Sequence, residues 1–157
     1  MMMRRHDREI TDINEITRII ERCDVCRLAV SGEVFPYIVP LNFGYELDGT
    51  TLTLWFHSAA EGRKIELIKK NPAVCFEMDR TRELVRGKDA CSWTMKYESV
   101  VGEGFISFVD NRDEKIRGLE AVMRKYAPGE VFEIAEAALD RVTVLKLIPQ
   151  SLTAKRN

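Results

Sequence analysis

WFHSAAEGRKIELIKKNPAVCFEM, residues 55–78, is the stretch that decides the predicted fold. A strand ends at His57, and a helix begins at Ser58 or a neighbouring residue and continues to about Lys70. Asn71-Pro72 ends this helix, because a proline disfavours helical backbone in the residue before it. The sequence therefore predicts a change from strand to helix immediately after residue 57.

The opening turn of this helix carries Gly62, Arg63 and Lys64. A helix N-terminus exposes unpaired N–H groups at the positive end of the helix dipole. Arginine adds a planar fork that holds two oxygens of a phosphate, and lysine adds a compact charge. The pattern predicts an anion site beside a strand end. The alternative is an ordinary solvated Arg-Lys pair, as on many helix surfaces.

The strand before this segment has two unusual features. Residues 35–45, FPYIVPLNFGY, alternate in the manner of a strand, and Pro40 lies in the middle of it. Proline cannot donate to a ladder, so the strand is expected at a sheet edge or with a bulge. Asp48-Gly49 predicts a hairpin that leads into a strand over 51–57.

The other predicted elements complete a chain of strands joined mostly by hairpin-like turns, which favours an antiparallel sheet covered by a few helices. The predicted strands are 25–30, 73–79 and 142–148, together with a long hairpin of 91–101 and 103–109 that pivots near Gly102 and Gly104. The predicted helices begin at Asp12, where Glu15 helps to cap the helix, run from Asp113 to Tyr126, and include a short helix near 132–139. The helix from Asp113 carries Ile116, Leu119, Met123 and Tyr126 on one face, and residues 80–90 are predicted to form a charged loop. One domain spans 1–157, with a polar segment at 1–11 and a tail at 149–157.

The composition places limits on function. The 157 residues carry a net charge of -1 and are 45% hydrophobic, which is typical of a soluble globular domain and does not favour a nucleic-acid or membrane surface. No apolar run reaches the roughly 20 residues of a membrane helix. The N-terminus lacks the apolar stretch of a signal peptide, and four cysteines are too few for a disulfide framework. We therefore expect a cytoplasmic protein with free thiols.

Cys23 and Cys26 form a Cys-x-x-Cys pair. A structural zinc site needs two more ligands. A redox pair opens a helix after a strand, whereas this pair follows a predicted helix. Both cysteines are therefore predicted to be buried apolar side chains, and no metal site is expected.

Three segments together resemble a known superfamily. They are PYIVPLNFGYE at 36–46, LWFHSAAEGRKIELIKKNPAVCFE at 54–77 and YESVVGEGFISFVD at 97–110. This combination resembles the flavin-binding split-barrel superfamily of pyridoxamine 5'-phosphate oxidase, and in particular its Nim branch, the 5-nitroimidazole-resistance proteins. The resemblance implies a mainly β fold, a six-stranded antiparallel split β-barrel with helices. It also implies a homodimer that holds FMN, or alternatively FAD, at the subunit interface.

The resemblance also implies site residues. Arg63 and Lys64 match the basic pair that holds the flavin phosphate, and Ser58 completes that cradle. The strand beside the flavin ring edge corresponds to three consecutive positions, Pro40, Leu41 and Asn42.

Three further residues are expected at the flavin. His57 matches a position near the flavin and is a candidate proton donor, since its pKa lies near neutrality; the alternative is an interior histidine that is satisfied by a hydrogen bond. Trp93 and Ser99 are expected to contribute from the second hairpin. Trp55, Phe43 or Trp93 are candidates to stack on a flat substrate.

The resulting hypothesis is a flavin-dependent oxidoreductase of small molecules that reduces nitro-aromatic compounds. The motif of basic residues that binds the substrate phosphate in the vitamin B6 oxidases has no match near LIPQSLTAKRN at the C-terminus. The alternatives are a flavin-binding or sensing module without turnover, and a split barrel that binds haem or a deazaflavin.

Overall fold

The computed structural model describes residues 5–157, which form one antiparallel sheet and four α-helices. The strands of this described part are Glu9–Ile10 (β1), Cys26–Val30 (β2), Tyr37–Leu41 (β3), Gly44–Asp48 (β4), Thr51–Ala59 (β5), Ala73–Val85 (β6), Thr94–Phe108 (β7) and Val142–Arg156 (β8). The helices are Ile13–Arg22 (α1), Arg63–Lys70 (α2), Arg112–Tyr126 (α3) and Glu136–Leu139 (α4).

The sheet curls into an open barrel. Its strand order is β3-β2-β6-β7-β8-β5-β4, and β1 pairs with the end of β8. Strands β3 and β4 are opposite edges of the sheet, yet only Asn42 and Phe43 separate them in the chain. Consecutive Cα atoms lie about 3.8 Å apart, so the two edges must lie close together without pairing. This confirms the antiparallel split barrel.

The described residues contain eight strands rather than the expected six. The predicted strand over 35–45 breaks at Asn42 and supplies both edges, and Glu9–Ile10 adds a short strand. Pro40 lies on edge strand β3, as predicted from its missing N–H. The Asp48-Gly49 turn is also confirmed, and Gly49 has a φ of 60°.

Strands β6, β7 and β8 are longer than their sequence patterns predicted. Strand β6 continues through most of the expected charged loop to Val85, because its second half pairs with the start of β7. The predicted hairpin at Gly102 is wrong, since β7 is one continuous strand that pairs with β6 and β8. A register shift at Glu103/Gly104 marks a bulge there instead. The expected tail at 149–157 is mostly the second half of β8.

The polar N-terminal segment is also partly structured. Glu9 and Ile10 pair with Lys155 and Ala154 at the end of β8, which corrects the expectation of loose packing for this part of residues 1–11. Residues 1–4 lie outside the described chain.

The main core fills the inside of the barrel and is closed by α1 and α2. Helix α1 begins where predicted, because the Asp12 side chain accepts a hydrogen bond from the Glu15 N–H at 2.9 Å. Ile16, Ile19 and Ile20 of α1 are buried in this core. The stripe of apolar residues along α1 thus places the helix over the barrel interior.

Helix α3 covers part of the outer sheet surface and forms a second, smaller core. Its buried residues are Gly118, Ala121 and Val122, which pack over Trp55. Of the apolar residues that were expected on one face, Leu119 packs against this core, whereas Met123 and Tyr126 are more than one third exposed. Small side chains let the helix approach the sheet closely, which a count of large apolar residues does not detect.

Candidate functional site

The strand-to-helix change lies slightly later in the chain than expected. Strand β5 continues through Ser58 and Ala59, because both residues pair with the start of β8. Helix α2 begins only at Arg63, after Gly62 with a φ of 126°. Gly62 offers no side chain to cap the helix. The first N–H groups of α2 are therefore left available to an anion.

Arg63 and Lys64 are the first two residues of α2 and so carry two cations at this uncapped helix end. The Arg63 side chain is exposed, and its guanidinium carbon lies 4.8 Å from the centroid of the Tyr37 ring. Among the described residues, neither cation forms an ion pair within 4.0 Å. Both positive charges therefore remain available for a ligand.

Tyr37 is a site residue that the sequence analysis missed. Its ring supports the Arg63 guanidinium by a cation–π contact and belongs to edge strand β3. The only sequence signal was an aromatic residue at an alternating position of the 35–45 strand. The contact connects the anion site to the strand that carries Pro40.

Ser58 provides the test of whether an anionic group fits here. Its side chain is 8% exposed, and Oγ has no hydrogen-bond partner among the described residues. A buried hydroxyl without a partner costs about 1–3 kcal/mol, so such groups are rare unless a ligand satisfies them. An acceptor such as a phosphate oxygen suits this hydroxyl, which lies a few residues before Arg63.

His57 lies on the opposite face of β5 from Ser58, since successive side chains of a strand alternate. The imidazole is exposed. The alternative of an interior histidine is therefore excluded, and His57 is accessible to a bound molecule.

Pro40, Leu41 and Asn42 lie at and just beyond the end of β3. Within the described chain, β3 pairs with β2 alone, and Pro40 lies opposite Arg27. The outer edge of β3 therefore presents unpaired backbone groups that can hydrogen-bond a polar ligand.

Trp93 and Ser99 lie just before and within β7, whereas Arg63 begins α2. Trp93 is 45% exposed beside the tip of the β6–β7 hairpin, and Ser99 lies opposite Asp79 midway along the strand pair. From Ala73, next to α2, to the hairpin tip, β6 extends about 40 Å at roughly 3.3 Å per residue. The expected contribution of Trp93 and Ser99 to the flavin site therefore stays a prediction.

The expected aromatic stacking partners differ in accessibility. Phe43 and Trp55 are fully buried, so neither stacks on a substrate. The Trp55 indole N–H donates to Glu46 at 2.9 Å, and α3 covers its ring. Trp93 is the accessible member of the three expected residues.

The Cys-x-x-Cys pair is buried, as predicted. Burial raises the pKa of Cys23 to about 11 and raises the pKa of Cys26 even further. Both side chains are therefore protonated, unreactive thiols. Within residues 5–157, no cluster of three His, Cys, Asp or Glu side chains has the arrangement of a metal site. The same residues include no helix that is long and apolar enough to cross a membrane.

Known proteins share this arrangement of elements. The sequence model described as pyridoxamine 5'-phosphate oxidase matches residues 12–156. The chain belongs to the pyridoxamine 5'-phosphate oxidase family. A comparison with curated proteins gave no match.

Solved structures in the same fold include a proposed 5-nitroimidazole antibiotic resistance protein from Bacteroides thetaiotaomicron VPI-5482. It is 35% identical in sequence, the alignment covers 94% of this chain and 85% of that protein, and the TM-score is 0.82. Flavocytochrome Anf3 from Azotobacter vinelandii is 17% identical, with coverage of 99% and 72% and a TM-score of 0.85. An FAD and heme binding protein from Mycobacterium smegmatis is 14% identical, with coverage of 96% and 73% and a TM-score of 0.85. The last two show a likeness of fold alone.

Proposed function

We propose that this member of the pyridoxamine 5'-phosphate oxidase family is a flavin-dependent oxidoreductase that reduces small nitro-aromatic compounds. The observation that carries the proposal is the buried Ser58 hydroxyl, which has no partner among residues 5–157 and lies close in the chain to an uncapped helix N-terminus with two cations that form no ion pair within the same residues. A bound flavin, FMN by preference, supplies the redox chemistry.

The chain's own residues have separable roles in this proposal. Arg63 and Lys64 bind the phosphate by charge-assisted hydrogen bonds, and Ser58 donates to a phosphate oxygen. The free edge of β3 around Pro40 offers backbone groups to the polar edge of the ring. His57 is exposed and is the proposed proton donor to a reduced substrate.

The cofactor assignment is tested by the mass of the molecule released when the purified protein is denatured. FMN or FAD is expected, and the visible spectrum shows the flavin bands. Release of haem, with a Soret band, or of a deazaflavin would contradict the assignment.

The binding residues are tested with the double variant Arg63→Ala/Lys64→Ala. Each lost contact to a charged group is worth about 1.5–3 kcal/mol, so flavin affinity is expected to fall more than a hundredfold. Lys69→Ala/Lys70→Ala removes two positive charges from the other end of α2 and serves as the matched control. Equal flavin content in the two double variants would remove Arg63 and Lys64 from the site.

The substrate class is supported by the 35% identity to the proposed 5-nitroimidazole resistance protein. The test is to reduce the bound flavin without oxygen, add a nitroimidazole and follow flavin reoxidation. Faster reoxidation is expected with the substrate, and His57→Ala is expected to slow it without releasing the flavin. Reoxidation at the rate seen without substrate would favour a binding or sensing module.

We also propose that two copies of the chain form the complete site. The outer sheet surface not covered by α3 exposes Ile38 (62%), Val101 (41%) and Phe105 (53%). Exposed apolar residues on one sheet face are typical of an interaction surface. Phe105→Lys is expected to convert dimers to monomers in analytical ultracentrifugation and to weaken flavin retention. A monomeric wild-type protein that retains flavin would refute this proposal.

A further inference from the structure

A groove at the hairpin end of the barrel combines two cavities of about 710 and 380 Å³. Arg80, Arg82 and Arg156 line both cavities, so the two cavities adjoin. Each volume falls within the range of small-molecule sites, about 300–1,000 Å³. The groove lies between the short strand Glu9–Ile10, the β6–β7 hairpin and the end of β8.

The floor of the groove is a buried carboxylate that other arginines neutralise. Glu98 is 2% exposed and forms ion pairs with Arg22 at 3.0 Å and Arg156 at 2.7 Å. Arg156 also reaches Glu15 at 3.2 Å. Glu98 is therefore fully engaged with these two arginines and is not available to the other cations of the groove.

The carboxylates at the rim of the groove also contact neighbouring side chains. Glu83 pairs with Lys96 at 2.7 Å, and Asp7 pairs with Arg5 at 2.7 Å. Glu9 accepts from the His6 ring at 3.1 Å. Among the described residues, each of these three carboxylates of the rim thus has a side-chain partner other than Arg80 and Arg82.

Arg80 and Arg82 are the cations without a partner. No carboxylate of residues 5–157 lies within 4.0 Å of either guanidinium, although both side chains line each cavity. Arg80 is directly opposite Glu98 in the strand pair. Arg82 is the extra residue of a bulge between Thr81 and Glu83, a device that directs a side chain into a site.

We propose that this groove binds a small polyanion that carries two or more phosphate or carboxylate groups. Two adjacent arginines present planar forks that match these groups, and the buried ion pairs fix the wall behind them. The chain as a whole carries a charge of -1, so the excess of positive charge in this groove is local.

The test measures binding of pyrophosphate and of citrate by isothermal calorimetry at low ionic strength. The Arg63→Ala/Lys64→Ala full-length chain is the background, which removes the proposed flavin-phosphate cradle as a competing site. Micromolar to low-millimolar binding of at least one anion is expected, and the tighter of the two identifies phosphate or carboxylate chemistry. In the same background, Arg80→Gln/Arg82→Gln is expected to weaken that binding tenfold or more.

Arg141→Gln/Arg124→Gln is the control, because it changes the net charge equally and neither arginine lines the groove. Unchanged affinity in this control supports the proposal. Failure of both anions to bind would overturn it, and so would equal losses in the two Gln variants. Unchanged thermal unfolding of each variant establishes that a loss of binding is not a loss of fold. A failure of flavin binding elsewhere in the chain leaves these outcomes unaffected.

Discussion

Ser58→Ala is expected to stabilise the cofactor-free chain and weaken flavin binding, which are opposite effects of one substitution. The hydroxyl is buried and has no partner in the part of the chain that the structure describes, so the folded chain carries the free-energy penalty of an unsatisfied polar group, about 1–3 kcal/mol. Alanine keeps the Cβ and removes only one oxygen atom, so the cavity left behind is small. We expect a net gain of about 1 kcal/mol in the free energy of unfolding.

The same oxygen is the proposed donor to the flavin phosphate. A hydrogen bond to a charged group contributes about 1.5–3 kcal/mol, so its loss is expected to weaken flavin binding at least tenfold. A gain of 1 kcal/mol corresponds to a rise of about 2–4 °C in the melting temperature of a chain this size. The cofactor-free variant should therefore melt higher than wild type, while the difference shrinks or reverses when flavin saturates both.

The assay is thermal unfolding of both proteins, first after removal of the flavin and then with FMN added. Ser107→Ala is the control, because Ser107 lies on β7 with an exposed hydroxyl 3.4 Å from the Lys146 carbonyl. This control is expected to stay within about 0.5 kcal/mol in both conditions. A lower melting temperature for cofactor-free Ser58→Ala would mean that the hydroxyl has a partner. An unchanged FMN affinity would place Ser58 outside the site.

Three predictions concern the scaffold. Gly118→Ala would place a Cβ 2.7 Å from the Trp55 ring, so overpacking is expected to destabilise the chain by about 1–3 kcal/mol, measured by urea denaturation. Tyr126→Phe removes a hydroxyl that donates to the Asp24 carbonyl at 2.7 Å, and a loss of about 1–2 kcal/mol is expected in the same assay. Burial opposes ionisation of Glu98, but hydrogen bonds from two arginines outweigh it and hold the pKa of this carboxyl below its usual value of 4.5. Its contribution to stability is therefore complete above pH 4.5 and is lost as the pH falls through the lower folded-state pKa, so Glu98→Gln is expected to flatten the acid side of a plot of melting temperature against pH.

The parts of the fold that the sequence predicted are those with strong local signals. Asp12 marks the start of α1, Asn71-Pro72 the end of α2, and Pro40 an edge strand, and each signal acts within a few residues. The strand-to-helix change was predicted four or five residues too early, because pairing of Ser58 with β8 extends β5. That pairing joins residues far apart in the chain and leaves no local signal.

Two strand segments with few apolar residues were predicted as a loop and a tail for a related reason. Residues 80–85 continue β6 although Arg80 and Arg82 are charged, since these side chains line a groove instead of a core. The second half of β8 likewise carries few apolar residues, yet β7 and β1 pair with it. Alternation of apolar and polar residues detects strands that cover a core, and these segments contribute few large apolar side chains to it.

Strand β6 bears on how a flavin site shared by Arg63 and Trp93 would be built. A small-molecule cavity of up to about 1,000 Å³ is roughly 10 Å across. Strand β6, which leads from the end of α2 towards the hairpin that precedes Trp93, has a length of about 40 Å along the chain. Because β6 is much longer than such a cavity, we expect Trp93 to reach a flavin bound at Arg63 from a second copy of the chain. It follows that Phe105→Lys, although it alters none of the proposed flavin contacts, should lower flavin retention in step with the loss of the dimer if Trp93 belongs to the site.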